Sequence, residues 1–173
     1  MIAVGIDSMI LIYAGHVPKV GESDQRAKNL RVRSKLLIQD LAEKKATVFL
    51  PSIAVSELLV PVPSAQKGLL VAQLSELFVL APFDLQAAAI AAELWAKHRN
   101  LPQDLQYEVR HVLKSDTMII ASARAAGATE FYTTDAKCRN LANLIMVGKD
   151  LPSHSENMFR QKEIEDAVGG GEN

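Results

Sequence analysis

The sequence predicts an α/β domain built on a mainly parallel sheet of about five strands flanked by helices. Short β-branched runs alternate with longer helical patterns, the ordering expected of strand–helix–strand units. At 173 residues and 49% hydrophobic content the chain has the size and apolar fraction of one domain with a substantial core. Several apolar runs also end at an acidic residue just where the next helical pattern begins.

Strands are predicted at Ile2–Ile6, Thr47–Leu50, Leu77–Leu80, Glu130–Thr133 and Leu144–Val147. The N-terminal stretch reads as the first strand and a turn. Ala27, Leu30, Ser34, Leu37, Ile38 and Leu41 recur at three- and four-residue spacing and mark a helix between the first two strands. A helix follows from near Ile53 to before Pro61, and another spans Ser64–Glu76 with Ser64 as an N-cap-type residue. Asp84 is placed to cap an Ala-rich helix reaching about Lys97. Pro102 and mixed polarity make residues 98–115 a loop with at most one short helix. A compact helix then runs from Asp116 to about Ala126, stopped by Gly127. After Asp135 a short helical pattern ends near Leu141. The organisation expected is one domain over residues 1–150 and a C-terminal extension over 151–173, with a marginal helix at Met158–Val168 and a disordered GGGEN tail.

A net charge of −1 carries no large acidic or basic block, so any nucleic-acid contact relies on local Lys and Arg clusters. The single cysteine, Cys138, excludes an intramolecular disulfide and a multi-cysteine zinc site, and fits a reducing cytoplasm. The N-terminus has no basic leader, and no apolar run reaches the roughly 18 residues a membrane span needs.

Asp7, Glu57, Asp116 and Asp135 are the candidate site. Asp7 and Asp135 each follow a strand and precede a helix start, where open α/β sheets form their ligand crevice; helix capping is the alternative role. Glu57 has Ile53, Ala54, Val60 and Pro61 as its helical neighbours, an apolar stripe on which the alternative is a structural salt bridge. Asp116 heads the stripe Ile119, Ile120, Ala123, either as a cap or, with Ser115 capping, as a free first-turn carboxylate. In a parallel sheet all four converge on one edge. Two unit charges 4 Å apart repel by roughly 4 kcal/mol at an effective dielectric of 20, and a hard divalent cation, Mg²⁺ or Mn²⁺, relieves that repulsion. Displacement at a phosphodiester is chemistry such sites support. Ser8, Thr133 and Thr134 are hydroxyls placed to orient a carboxylate or a water, or to serve turns and caps. Lys114 and Arg139 flank two proposed ligands and are candidates for phosphate contact or plain surface charge. His16, His98, His111 and His154 lack ligand-like spacing and read as surface or loop residues, and Cys138 as a small packed residue.

GIDSMILIYA, the Ser56-Glu57-Leu58 segment, KSDTMIIASARAAGA and FYTTDAKCRNL together resemble the four acidic motifs of PIN-domain ribonucleases, over roughly residues 1–147. The chain is most similar to the VapC-like toxins of toxin–antitoxin pairs. That resemblance implies Mg²⁺- or Mn²⁺-dependent RNA cleavage, metal ligation by Asp7, Glu57, Asp116 and Asp135, support from Thr133 in a Thr-x-Asp pattern, and silencing by a cognate antitoxin. Met9 stands where many relatives have Asn, and residues 98–115 and the tail after Asp150 lengthen the chain relative to compact toxins. Apolar residues within Leu59–Val71 suit a homodimer or an antitoxin helix, or ordinary core packing. The competing functions are a noncatalytic RNA- or partner-binding module of the same fold, an RNA maturation or decay nuclease, and a phosphohydrolase. For the last, Asp7-Ser8-Met9 lacks the paired Asp-x-Asp of the haloacid dehalogenase-like phosphatases.

Overall fold

The computed structural model describes residues 2–16 and 25–153. The helix and tail expected after Met158, and His154, lie outside the described residues. Five strands, β1 (Ala3–Ile6), β2 (Thr47–Pro51), β3 (Val79–Ala81), β4 (Glu130–Tyr132) and β5 (Val147–Lys149), form one sheet in the order β3-β2-β1-β4-β5, every pair parallel. Among the described residues seven α-helices connect and flank them, α1 (Ser8–Ala14), α2 (Gln25–Glu43), α3 (Ser52–Leu59), α4 (Ser64–Leu77), α5 (Leu85–His98), α6 (Arg110–Ala125) and α7 (Ala136–Ala142), with a 3-10 turn at Gln103–Leu105 between α5 and α6. The strand order reverses at β1, so the crevice of this sheet opens at the carboxyl ends of β1 and its two neighbours.

Val4 and Ile6 on β1, Leu50 on β2 and Phe131 on β4 are fully buried, as central parallel strands covered on both faces require. On α2 the predicted stripe faces inward, with Ala27, Ser34, Leu37 and Leu41 buried. Asp84 caps α5 as expected, its Oδ1 accepting the Ala87 N–H at 2.8 Å. Gly127, at φ 106°, ends α6 in the left-handed region where glycine carries no steric cost.

Gly5 is required for closeness. A Cβ there would stand 2.6 Å from the Ala123 Cβ and 2.8 Å from the Phe131 Cδ2, both on fully buried side chains. Gly5→Ala therefore overpacks the sheet–α6 contact and is expected to cost about 1–3 kcal/mol. Urea unfolding reads this as a lower midpoint at unchanged slope; an unchanged midpoint contradicts the packing described.

Five expectations need correction. Ser8–Ala14 is a helix rather than a turn, closed by Gly15 at φ 90°. Pro63, not Ser64, is the N-cap of α4 and makes no capping bond; its fixed φ leads extended chain directly into the first helical residue. α4 then continues to Leu77, which pushes β3 to Val79–Ala81. Leu144–Met146 do not pair as a strand. Their N–H groups bond back to Leu141 and Ala142 carbonyls as the end of α7, which leaves β5 to Val147–Lys149. Finally, α6 starts six residues before Asp116, because Leu113 extends the buried stripe through Lys114 and Ser115. Asp116 is thus a helix-interior residue and caps nothing.

The end of the described chain is tied down as well. Arg33 donates to the Leu151 and Pro152 carbonyls, and Leu151 is buried in the core.

Candidate functional site

Asp7 is the residue after β1 and stands at the N-cap position of α1, yet its side chain makes no capping bond. Its oxygens face two hydroxyls: Thr133 Oγ1 donates to Oδ2 at 2.8 Å and Ser8 Oγ lies 3.2 Å from Oδ1. Ser8 also reaches Glu57 Oε2 at 2.8 Å, so its single proton bridges the two carboxylates, with the shorter contact to Glu57. The other Glu57 oxygen accepts from Ser115 Oγ at 2.9 Å. α1, α3 and α6 are thereby joined through one carboxylate.

Thr133 carries a second role. Its Oγ1 accepts the Asp135 N–H at 3.1 Å while donating to Asp7, so a Thr-x-Asp sequence after β4 couples one strand's acid to the next. Asp135 is exposed and caps α7, its Oδ1 accepting from Cys138 N at 2.9 Å; one of its two oxygens is engaged by the helix. Asp116 accepts from the Tyr107 hydroxyl at 2.6 Å. Tyr107 is itself positioned by His98, whose Nε2 accepts the Tyr107 N–H at 3.1 Å and whose ring lies 5.7 Å from the phenol ring.

Electrostatics bind the group together. Burial pushes the Asp116 carboxyl up to about 7; the Tyr107 hydrogen bond works against that, and the negative charges of Asp7, Asp135 and Glu57 add to it. Asp7 is raised too, first by burial, with the Thr133 hydrogen bond opposing and the Glu57 charge adding. The Tyr107 phenol is held far above its ordinary value, chiefly by burial. His98 is lowered by burial, consistent with a neutral ring that accepts a hydrogen bond. Among the described residues none of the four carboxylates is in an ion pair with Lys or Arg.

Tyr107→Phe tests this arrangement. It removes the bond that lowers Asp116, so that carboxyl is expected to titrate higher still, with a stability change of about 0.5–1.5 kcal/mol from the lost hydrogen bond. Carbon-13 NMR of the carboxyl reads the shift; an unmoved midpoint contradicts the assigned contact.

Other predicted residues sit differently. Glu57 is exposed rather than buried on its stripe, and serine hydroxyls, not a salt bridge, hold it. Thr134 lies among Arg26, Arg33 and Asp150, outside the hydroxyl contacts that join the carboxylates. Arg139 pairs with Asp150 at 3.3 Å, a partner it shares with Arg33 at 3.4 Å. Lys114 is exposed on α6 and lines a groove against α5. His98, expected at the surface, is buried because the segment after α5 folds back over it. Cys138 is buried, as a small packed residue. Tyr107 was beyond sequence reasoning: it lies outside the helix that carries Asp116, so no periodicity links them. Ser115, which the sequence offers as a helix cap beside Asp116, instead donates to Glu57.

As the side chains stand, no three His, Cys, Asp or Glu among the described residues are grouped closely enough to hold a metal ion. The donor chemistry nonetheless fits a hard divalent cation: carboxylate and hydroxyl oxygens, an acid at the strand end raised by burial, and an excess of negative charge with no Lys or Arg ion pair among the described residues.

The family model of the PIN domain matches residues 25–144. The chain belongs to the PIN-domain family. Solved structures share the fold. VapBC2 from Rickettsia felis, in complex with a DNA fragment from its promoter, superposes with a TM-score of 0.55 at 15% identity, covering 87% of this chain and 100% of that one. VapC20 of Mycobacterium tuberculosis, a sarcin–ricin loop cleaving toxin, gives a TM-score of 0.52 at 15% identity with the same coverage. At that identity these likenesses concern the fold. No curated protein matches this PIN domain by sequence.

Proposed function

We propose that this PIN domain is a divalent-metal-dependent endoribonuclease that hydrolyses RNA phosphodiesters with Mg²⁺ or Mn²⁺, held by Asp7, Glu57, Asp116 and Asp135. The observation that carries the reading is that Asp7 and Glu57 share the Ser8 hydroxyl, that Asp116 senses the charges of Asp7, Asp135 and Glu57, and that none of the four has a Lys or Arg partner among the described residues. Bound there, the cation supplies the Lewis acidity that activates water and offsets charge developing on the phosphodiester. The chain's own residues set the ligands: Thr133 fixes Asp7, Ser8 and Ser115 fix Glu57, and Tyr107, backed by His98, fixes Asp116. Asp135 offers its uncapped oxygen. The lowered His98 and the raised Tyr107 keep that support neutral, so it orients a carboxylate without competing for the cation's charge.

The reading extends to the toxin of a toxin–antitoxin pair, a cytoplasmic homodimer silenced by an antitoxin. It is supported by the fold shared with VapC20 and VapBC2 and by the exposed apolar residues Val60, Leu69 and Leu77 on and beside α3 and α4. Among the described residues no helix is long and apolar enough to cross a membrane.

Incubation of the purified chain with structured RNA and with a phosphate monoester, with and without Mn²⁺ or Mg²⁺, tests the chemistry. Cleavage of RNA only with the cation is expected. RNA retained without cleavage points instead to a binding module, and monoester turnover to a phosphohydrolase. A small neighbouring gene encoding a DNA-binding N-terminus and an amphipathic tail separates a toxin from an RNA maturation enzyme.

A further inference from the structure

α5 and α6 border an open groove of about 930 Å³. Phe83, Trp95 and Met118 give it an apolar floor, and Arg110, His111 and Lys114 a polar rim with two permanent cations, Arg110 and Lys114. Arg110, Lys114 and Met118 recur every four residues and so share one stripe of α6. The three rim residues are exposed, and among the described residues none of them is in an ion pair. Among the described residues no acidic side chain lines the groove. Lys114 directly precedes Ser115, whose hydroxyl reaches Glu57, so along α6 the rim begins one residue from a contact of the acidic cluster, on the neighbouring face of the helix, and Arg110 lies about one helical turn further out.

Trp95 is the only tryptophan of the chain. It is half-buried, and the Arg110 guanidinium sits 5.8 Å from its ring centroid. That distance is at the outer limit, about 6 Å, of a cation–π contact, so a better-stacked group can take the ring face and leave the guanidinium for an anion. A flat aromatic surface with unmatched cations along one side is complementary to a nucleotide, by stacking and by charge.

We propose that the α5–α6 groove is a nucleotide subsite for the RNA strand, with a base stacked near Trp95 and the adjoining phosphates meeting Arg110 and Lys114. This rests on RNA being the substrate and adds where the strand leaves the acidic cluster. The subsite follows α6 outward from Lys114, so the bases it reads lie to one side of the scissile bond.

Trp95 emission is a built-in probe. Full-length Asp7→Asn protein in EDTA, where cleavage is stopped, is titrated with a short single-stranded oligoribonucleotide, with inorganic polyphosphate and with an acidic amphipathic peptide. The oligoribonucleotide is expected to quench the emission saturably and polyphosphate to leave it unchanged. Adding R110Q and K114Q, both at exposed positions, is expected to weaken binding about tenfold or more and to flatten its salt dependence. Trp95→Leu, followed by anisotropy of labelled RNA, is expected to lose about tenfold or more, with circular dichroism confirming the fold. Unchanged emission on adding RNA, full affinity retained in the R110Q/K114Q protein, or quenching by the peptide but not by RNA would overturn the subsite, the last in favour of a protein partner. Cleavage by the unmodified chain with Mn²⁺ is scored separately: cleavage without quenching removes only the subsite, and quenching without cleavage removes the nuclease reading and leaves the subsite.

Discussion

Asp7→Asn is expected to lower Mn²⁺-dependent RNA cleavage by more than about 100-fold while leaving the protein folded. The lower bound follows from the 10–100-fold losses typical when only an outer partner of a metal ligand is removed. Asparagine keeps an oxygen to accept the Thr133 hydroxyl, so the β1–β4 connection survives, and it discards a charge that burial and Glu57 both disfavour. Activity and stability should therefore move in opposite directions. An inactive variant that is also unfolded would say nothing of metal chemistry, so thermal melting belongs in the same experiment. Cleavage at wild-type rate by a folded Asp7→Asn protein contradicts the assignment.

The second large effect is the pH dependence of the metal-free protein. Asp116 has a folded value of about 7 against an ordinary 3.8, so between roughly pH 4 and 7 the folded state holds a proton that the unfolded state has released. Stability then falls as pH rises through that window, and Asp7, raised in the same direction, adds to the decline. Each unit of difference corresponds to about 1.4 kcal/mol, which bounds the Asp116 contribution at about 4 kcal/mol; the side chain's partial exposure reduces it to a few kcal/mol at most. In EDTA the urea midpoint is expected to be lower at pH 8 than at pH 5. Mn²⁺ added at pH 8 should restore it, because the cation takes the place of the protons. Asp116→Asn should flatten the acidic-side dependence, the amide oxygen still accepting from Tyr107. A midpoint that rises from pH 5 to pH 8 in EDTA would contradict the clustering.

Much of the frame was legible because it is written in periodicity and punctuation. The apolar stripe of α2, the cap at Asp84, the stop at Gly127 and the cores of β1, β2 and β4 each follow from a local rule that tertiary contacts do not override. The errors arose where a tertiary contact decides. Leu144–Met146 read as a strand because they are apolar and one is β-branched, yet their N–H groups are taken by the end of α7. Lys114-Ser115-Asp116 reads as a polar break, but Leu113 and Ile120 bury the helix on both sides of it. Asp7 and Asp135 lie after β1 and β4, where their places in the sequence put them. The environments of the acids were not legible: Glu57 rests on serines of two other helices, and Tyr107 reaches Asp116 from a segment with no periodic link to it. Arg139, next to the acidic motif in sequence, is turned to Asp150 by the return of β5 beside α7.

Direct binding of Mn²⁺ tests the central claim without relying on catalysis. Calorimetric titration of the EDTA-stripped chain at pH 7.5 is predicted to show saturable binding that weakens toward pH 5.5, as Asp116 takes up its proton, and that is lost in Asp7→Asn and Asp116→Asn proteins with native melting curves. No saturable binding, or the same affinity in both variants at both pH values, would contradict a cation site formed by these carboxylates.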